Sequence, residues 1–347
     1  MAGPGAALPA TLITGFLGSG KTTLLNGLLA HPGMADTAII VNEFGEVGLD
    51  HLLIETAFED AVLLKSGCIC CTVRGDLVDT LTTLAARRQA GEIPPFSRIA
   101  IETTGLADPA PILHILMAEP SLTPLYRLDR VVTTVDAVNA LAQLDAHYEA
   151  AKQAAVADRL VLTKTDLVAA SVTAQVCARL GALNPAAPIE IVINGRIEPD
   201  VLFAPLASDP AGREGRLAAA AALGHGHDHL GGDASHLALH HGITTVSLVR
   251  EEPVTWPALR AWLVAVASLR GPDLLRVKGI VNVVGRSGPV VIHGVQHVFH
   301  PPVELRAWPG EDRRTRIVFI TRNIAAGDLA RSFAVAVGGA AGELPSP

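Results

Sequence analysis

Residues 15–22 read Gly-Phe-Leu-Gly-Ser-Gly-Lys-Thr, the full phosphate-cradling pattern G-x-x-x-x-G-K-[ST]. Glycines at this spacing let consecutive backbone N–H groups turn inward around phosphates. Lys21 then reaches the β- and γ-oxygens, and the Thr22 hydroxyl is placed on Mg²⁺. The expected phosphate contacts are Gly15, Gly18, Ser19, Gly20, Lys21, Thr22 and Thr23. The pattern follows an apolar run, Leu8–Thr14, and precedes an amphipathic segment, Thr23–Leu29, so it sits between a strand and a helix. A nucleoside triphosphate is the implied ligand.

Two later segments complete a nucleotide engine. Ile99-Ala100-Ile101 leads into Glu102-Thr103-Thr104-Gly105. A buried strand there delivers an acid at its C-terminal end, with a glycine three residues on that suits sensing a γ-phosphate. Lys21 and Glu102 are the catalytic candidates. Glu102 stands where many such proteins use Asp, and two roles stay open for it: holding Mg²⁺ through water or orienting the attacking water. Leu160-Val161-Leu162 ends in Thr163-Lys164-Thr165-Asp166, close to the guanine-reading pattern N-K-x-D. The Asp166 carboxylate can accept from both N1–H and the exocyclic amine of guanine, a match adenine lacks. Lys164 and Asp166 are therefore base-site candidates, whereas Thr163 departs from the pattern by giving a hydroxyl in place of an amide. The Asn194-Gly195 turn after the last strand is a candidate closing loop over the base.

Of four cysteines, three crowd into Gly67-Cys68-Ile69-Cys70-Cys71, too close for unstrained disulfides with one another. Soft thiolates suit Zn²⁺, with Co²⁺ also possible, and two or three from one turn leave coordination positions for a carboxylate, a His or water. Cys68, Cys70 and Cys71 are the metal candidates, with Glu43 and Glu46 as oxygen ligands or members of the Mg²⁺ shell. Six histidines fall between His225 and His241, a metal-gathering composition. Cys177 reads as a small core residue, and His293, His297 and His300 as surface or partner-facing strand positions.

The elements that must position these groups alternate. Strands are expected at Ala38–Asn42, Ala61–Leu64, Arg98–Glu102, Arg130–Val135, Arg159–Thr163 and Ile189–Ile193, with crossover helices at Asp76–Ala90, Ala137–Ala157 and Ser171–Leu183. This is the pattern of an α/β fold, a mostly parallel sheet with helices on both faces. From Phe203 to Gly242 the chain turns Ala-, Gly-, Asp- and His-rich without a sustained period, which reads as a flexible linker. Beyond it, Ile243–Val249, a helix at Trp256–Leu269, strands near Leu274–Val284, Val290–His297 and Ile317–Ile320 and a helix around Ala325–Val335 make a smaller α+β domain. The expected boundaries are 1–203, 204–242 and 243–347.

Composition narrows the setting. The 347 residues carry 34 acids against 27 bases, a net of −7, with no basic stripe, so nucleic acid is not an expected partner. No run of about 18 apolar residues marks a membrane span. The start of the chain lacks a leader's charged and apolar regions, so the expected setting is the cytoplasm.

Taken in order, Gly15–Thr23, Val41-Asn42-Glu43-Phe44-Gly45-Glu46-Val47-Gly48, Ser66–Thr72, Glu102–Gly105 and Thr163–Asp166 resemble the CobW-like family of P-loop GTPases. Relatives of that family assist nickel insertion into urease and hydrogenase. Leu275–Gly279 and Arg316–Ile320 are similar to its C-terminal domain, so the resemblance covers nearly the whole chain. It implies a GTP-hydrolysing metallochaperone that couples nucleotide state to metal transfer from the C-x-C-C motif to an unidentified client metalloprotein; zinc is the expected metal because it binds most N/S sites better than Co²⁺ or Fe²⁺. Two other classes stand beside it: a non-catalytic zinc buffer, which the intact Lys21, Thr22 and Glu102 disfavour, and a cobalt- or iron-handling activator or assembly factor for one metalloenzyme.

Overall fold

The structure, a computed structural model, describes residues 7–41, 73–203, 241–308 and 310–338, with side chains of the second stretch described from residue 77 on. The expected strand Ala61–Leu64, the residues Glu43, Glu46, Cys68, Cys70 and Cys71, and nearly all of the His-rich stretch lie outside the described residues. The chain divides into two compact units, Met1–Arg179 with Ala187–Ser208 and Leu180–Ala186 with Asp209–Pro347.

The first unit is built on six parallel strands: β1 (Leu8–Gly15), β2 (Thr37–Val41), β3 (Arg98–Glu102), β4 (Tyr126–Asp136), β5 (Arg159–Thr163) and β6 (Ile189–Val192). Their order across the sheet is β2-β3-β1-β4-β5-β6. Helices α1 (Lys21–Leu29), α2 (Val73–Ala90), α3 (Ala110–Ala118), α4 (Ala140–Ala146), α5 (Tyr148–Val156), α6 (Ala170–Leu183) and α7 (Pro199–Phe203) connect them. Adjacent residues such as Leu12 and Ile13 are both fully buried, as a strand covered on two faces requires. Leu24, Leu25 and Leu28 of α1 pack with Ile13, Ala100, Val132 and Val161 from four strands and with Leu202 and Phe203 of α7. Phe203 is therefore core, not the start of a linker.

Three local differences from the sequence reading have physical causes. The single crossover helix expected over Ala137–Ala157 is two, broken at His147, whose backbone is extended (φ −123°, ψ 115°). Strand β4 runs four residues earlier than expected, because the charged residues Asp129 and Arg130 satisfy each other: Arg130 Nε donates to Asp129 Oδ2 at 2.9 Å, with the Arg130 side chain 2% exposed. Cys177 is half-buried rather than core, and burial raises its thiol pKa.

The second unit holds β7 (Ile243–Arg250), α8 (Trp256–Arg270), β8 (Leu274–Val281), β9 (Val290–Val295), β10 (Val298–Phe299), β11 (Val303–Glu304), β12 (Thr315–Arg322) and α9 (Ala326–Gly338). Its antiparallel sheet runs β10-β9-β8-β12-β7, with β11 also on β9. Leu259, Trp262 and Leu263 of α8 and Leu329, Phe333 and Val337 of α9 share one core with Val277, Ile317 and Phe319 of the sheet. The Trp262 ring meets Phe319 and Phe333 edge-on, with centroids 5.6 and 5.0 Å apart, while its Nε1–H donates to Ser332 Oγ at 3.1 Å.

Candidate nucleotide site

The phosphate loop, residues 15–22, joins the C-terminal end of β1 to α1. Parallel strands end in polar residues at this edge. Thr14, Thr103, Thr133, Thr134 and Thr163 are all buried there, and the hydroxyls of Thr134 and Thr163 hold the loop at Ser19. Ser19 Oγ lies 2.6 Å from Thr134 Oγ1, Thr163 Oγ1 donates to Ser19 O at 2.8 Å, and Thr103 Oγ1 donates to Thr14 Oγ1 at 2.8 Å. A Cβ on Gly15 would stand 2.3 Å from Thr134 Oγ1 and 2.7 Å from Ser19 Oγ, so only glycine lets the loop leave the strand here.

Lys21 is 8% exposed, and its ammonium donates to Gly15 O at 2.9 Å and Phe16 O at 3.3 Å, inside the loop it closes. Thr22 Oγ1 donates to Glu102 Oε1 at 3.3 Å, bringing the hydroxyl expected on Mg²⁺ together with the carboxylate expected to hold that ion through water or to orient the attacking water. Gly105 lies flush against the same loop: a Cβ there would meet the Leu17 backbone nitrogen at 2.8 Å. The donor set fits a magnesium-bound triphosphate, with a lysine inside a glycine loop, hard oxygens on one side and uncluttered backbone on the other.

At the end of β5, Lys164 adopts a left-handed backbone (φ 58°) and sends its Nζ to Gly18 O at 2.7 Å and to Asp136 Oδ2 at 2.9 Å. Asp136, the last residue of β4, is 1% exposed. Burial by itself would raise its carboxyl, but hydrogen bonds from Lys164, Asn139 and the Val138 N–H, with the Lys164 charge, hold it below the ordinary carboxylate value. Asp166 is exposed in a short 3-10 turn, Thr165–Leu167. The Thr163 hydroxyl, standing where the pattern has Asn, is turned inward to Ser19 O, with Val135 O 3.2 Å away.

The structure thus gathers Gly15, Gly18, Ser19, Gly20, Lys21, Thr22, Glu102, Gly105 and Lys164 at one sheet edge, with exposed Asp166 on the segment that Lys164 ties to Gly18. Thr23 is exposed on α1. The Asn194-Gly195 turn (φ 52° and 69°) packs on α1: a Cβ on Gly195 would stand 2.3 Å from Thr23 O. Sequence reasoning missed Asp136, the threonine layer and Gln153 of α5, whose Nε2 donates to Gly105 O at 3.2 Å and Ala107 O at 3.1 Å. A signal existed for the threonines, since each is a polar residue in the last few positions of an apolar strand or just beyond it. Among the described residues no three His, Cys, Asp or Glu side chains come together to hold a metal ion. His293 and His300 form a pair, with ring centroids 6.2 Å apart. No helix among the described residues is long and apolar enough to cross a membrane.

Known proteins resemble this chain over most of its length. Residues 9–190 match the family described as "CobW/HypB/UreG, nucleotide-binding domain", and residues 243–337 match "Cobalamin synthesis protein cobW C-terminal domain". The chain is 32% identical over 328 residues to the zinc chaperone YjiA of Escherichia coli, covering 93% of this chain and 97% of that protein. It is 34% identical over 198 residues to the zinc-regulated GTPase metalloprotein activator 1 of Schizosaccharomyces pombe, covering 55% and 47%. The crystal structure of the Zn(II)-bound YjiA GTPase from E. coli superposes with a TM-score of 0.69 at 26% identity, over 95% of this chain and 99% of that one.

Proposed function

We propose that this chain, which belongs to the CobW/HypB/UreG family of nucleotide-binding proteins and carries a CobW C-terminal domain, is a GTPase that carries zinc to a client metalloprotein. The observation that carries the guanine reading is Lys164: one ammonium bridges Gly18 O and Asp136, tying the segment that bears Asp166 to the phosphate loop. A base read at Asp166 is then registered against phosphates held at residues 15–22. Thr22 and Glu102 would hold Mg²⁺, which neutralises charge on the β- and γ-phosphates when bound. Lys21 would hold the phosphate oxygens, and Gly105, packed on Leu17 of the same loop, would face the terminal phosphate.

The zinc reading rests on the thiol chemistry of Cys68, Cys70 and Cys71 and on the names carried by the relatives. Zn²⁺ is cargo here, and Co²⁺ fits the same soft ligands. The reading sets the protein in the cytoplasm, whose reducing poise keeps such thiols free to bind metal. Nucleotide can drive metal release only if the GTP and GDP states differ in metal affinity, and metal must then change GTP affinity by the same factor.

Competitive titration with Zn²⁺, and with Co²⁺ for its thiolate charge-transfer bands, checks this in the presence of Mg·GTP and Mg·GDP. We expect tighter metal binding with GTP by about 5–150-fold, the usual range of such couplings. Ser at positions 68, 70 and 71 should erase the difference and leave nucleotide binding intact. Equal metal affinity in the two states would refute the coupling, whereas Lys21→Ala that still turns over GTP would refute the nucleotide site itself.

A further inference from the structure

Helix α5 touches both loops that flank the phosphate site. At its start the His147 ring stacks on Phe16 of the phosphate loop, with centroids 4.7 Å apart and planes 25° from parallel. In its middle two polar residues stand among alanines. Lys152 Nζ reaches Asp108 Oδ2 at 2.6 Å, and the fully buried Gln153 gives its amide to Gly105 O and Ala107 O. Thr133 Oγ1 of β4 donates to the Gln153 backbone carbonyl at 2.9 Å, fixing the helix to the sheet. The turn it grips is closed on itself by Ala107 N–H to Thr104 O, at 3.1 Å. Among the described residues the Gly105 N–H donates to no acceptor.

Two carbonyls facing one buried side chain require donors, and an amide is the side chain of this size that supplies two N–H groups and no charge. Its oxygen, Oε1, is buried without a hydrogen-bond partner, which costs stability. A residue kept for packing alone would not carry that oxygen. We propose that Gln153 is a positioning residue for GTP hydrolysis: it holds the Thr104–Ala107 turn so that Gly105 stays seated on Leu17, its N–H left for an oxygen of the terminal phosphate. Lys152 secures the same turn from its exposed side through Asp108. The inference rests on the reading of Gly105 as the glycine that faces the terminal phosphate, and the test separates the two.

The experiment compares kcat and KM for Mg·GTP, Mg·GDP affinity and melting temperature in the full chain. Gln153→Met keeps the shape and removes both donors. It should lower kcat about 10–100-fold with KM and GDP affinity within about threefold of wild type, the signature of an interaction needed in the transition state. Gln153→Glu puts a carboxylate against two carbonyls, and only its protonated form has an O–H to give. Its kcat relative to wild type should therefore rise as pH falls from about 8 to about 6, a response a packing defect does not produce. Should both variants fail to fold, Asp108→Asn, which keeps its bond from the Ala110 N–H, should still lower kcat about 3–10-fold with the same split. The proposal is overturned if a folded Gln153→Met keeps kcat within about twofold of wild type, if its kcat and GDP affinity fall together, or if Asp108→Asn is silent. Gly105→Ala, blocked by Leu17, is the control: wild-type turnover there overturns the reading of the turn and the inference with it. Impaired turnover there with a silent Gln153→Met overturns the inference alone.

Discussion

A threonine hydroxyl has one hydrogen to give, and at position 163 it goes to Ser19 O. The phosphate loop keeps its anchor on β5, and guanine loses an amide neighbour. Removing the hydroxyl leaves a buried carbonyl without its donor, at a cost of about 1–3 kcal/mol. Thr163→Val should therefore weaken Mg·GDP binding about tenfold, measured by displacement of a fluorescent nucleotide, since about 1.4 kcal/mol is one decade. Base choice then rests on Asp166. Asp166→Asn should lose GTP affinity and gain affinity for the xanthine analogue, shifting the ratio about 10–100-fold; an unchanged ratio would remove the carboxylate from base reading. The residues that build the pocket's chemistry were legible because their motifs are local. Asp136 and Gln153 were not, since the contacts that tie them to the site, to Lys164 and to Gly105 and Ala107, span 28 and 46–48 residues and nothing adjacent in sequence marks them.

At the scale of elements, strands with uniformly apolar middles were read to the residue, as in β3 and β5. Misreadings came where a long-range partner changes a local preference. The alanine-rich run around His147 has helical period throughout, yet a ring stacked on Phe16 sits where the chain breaks. The head of β4 looks too charged for a buried strand until Arg130 finds Asp129. That same head carries Tyr126, 1% exposed, whose hydroxyl donates to Leu81 O of α2 at 3.0 Å. Burial pushes its pKa up to about 12, with the charge of Arg88 acting the other way. A raised folded-state pKa means that the neutral phenol's contribution is full below the unfolded value of about 10 and fades as pH climbs through about 12. Stability should fall across that alkaline window, and Tyr126→Phe should shrink the fall while costing about 1 kcal/mol at neutral pH through the lost hydrogen bond. Denaturant midpoints measured from about pH 8 to about pH 12 check both.

At the scale of the whole molecule, each unit has its own apolar core, so damage to one need not reach the other. Phe333→Ala removes a buried ring from the second core and should cost that unit about 3–5 kcal/mol. Nucleotide affinity, which depends on the first unit, should stay within about twofold of wild type, a difference of about 0.4 kcal/mol. A proportional loss of GDP binding in that variant would show that the units stand or fall as one. The core around Trp262 makes this separation visible by light. All three tryptophans, Trp256, Trp262 and Trp308, belong to the second unit, and both tyrosines, Tyr126 and Tyr148, to the first. Indole emission excited at the red edge of absorption therefore originates in the second unit alone. A tryptophan introduced at Phe16, beside the His147 ring, would give the phosphate loop a reporter of its own, read against a constant background from the other three.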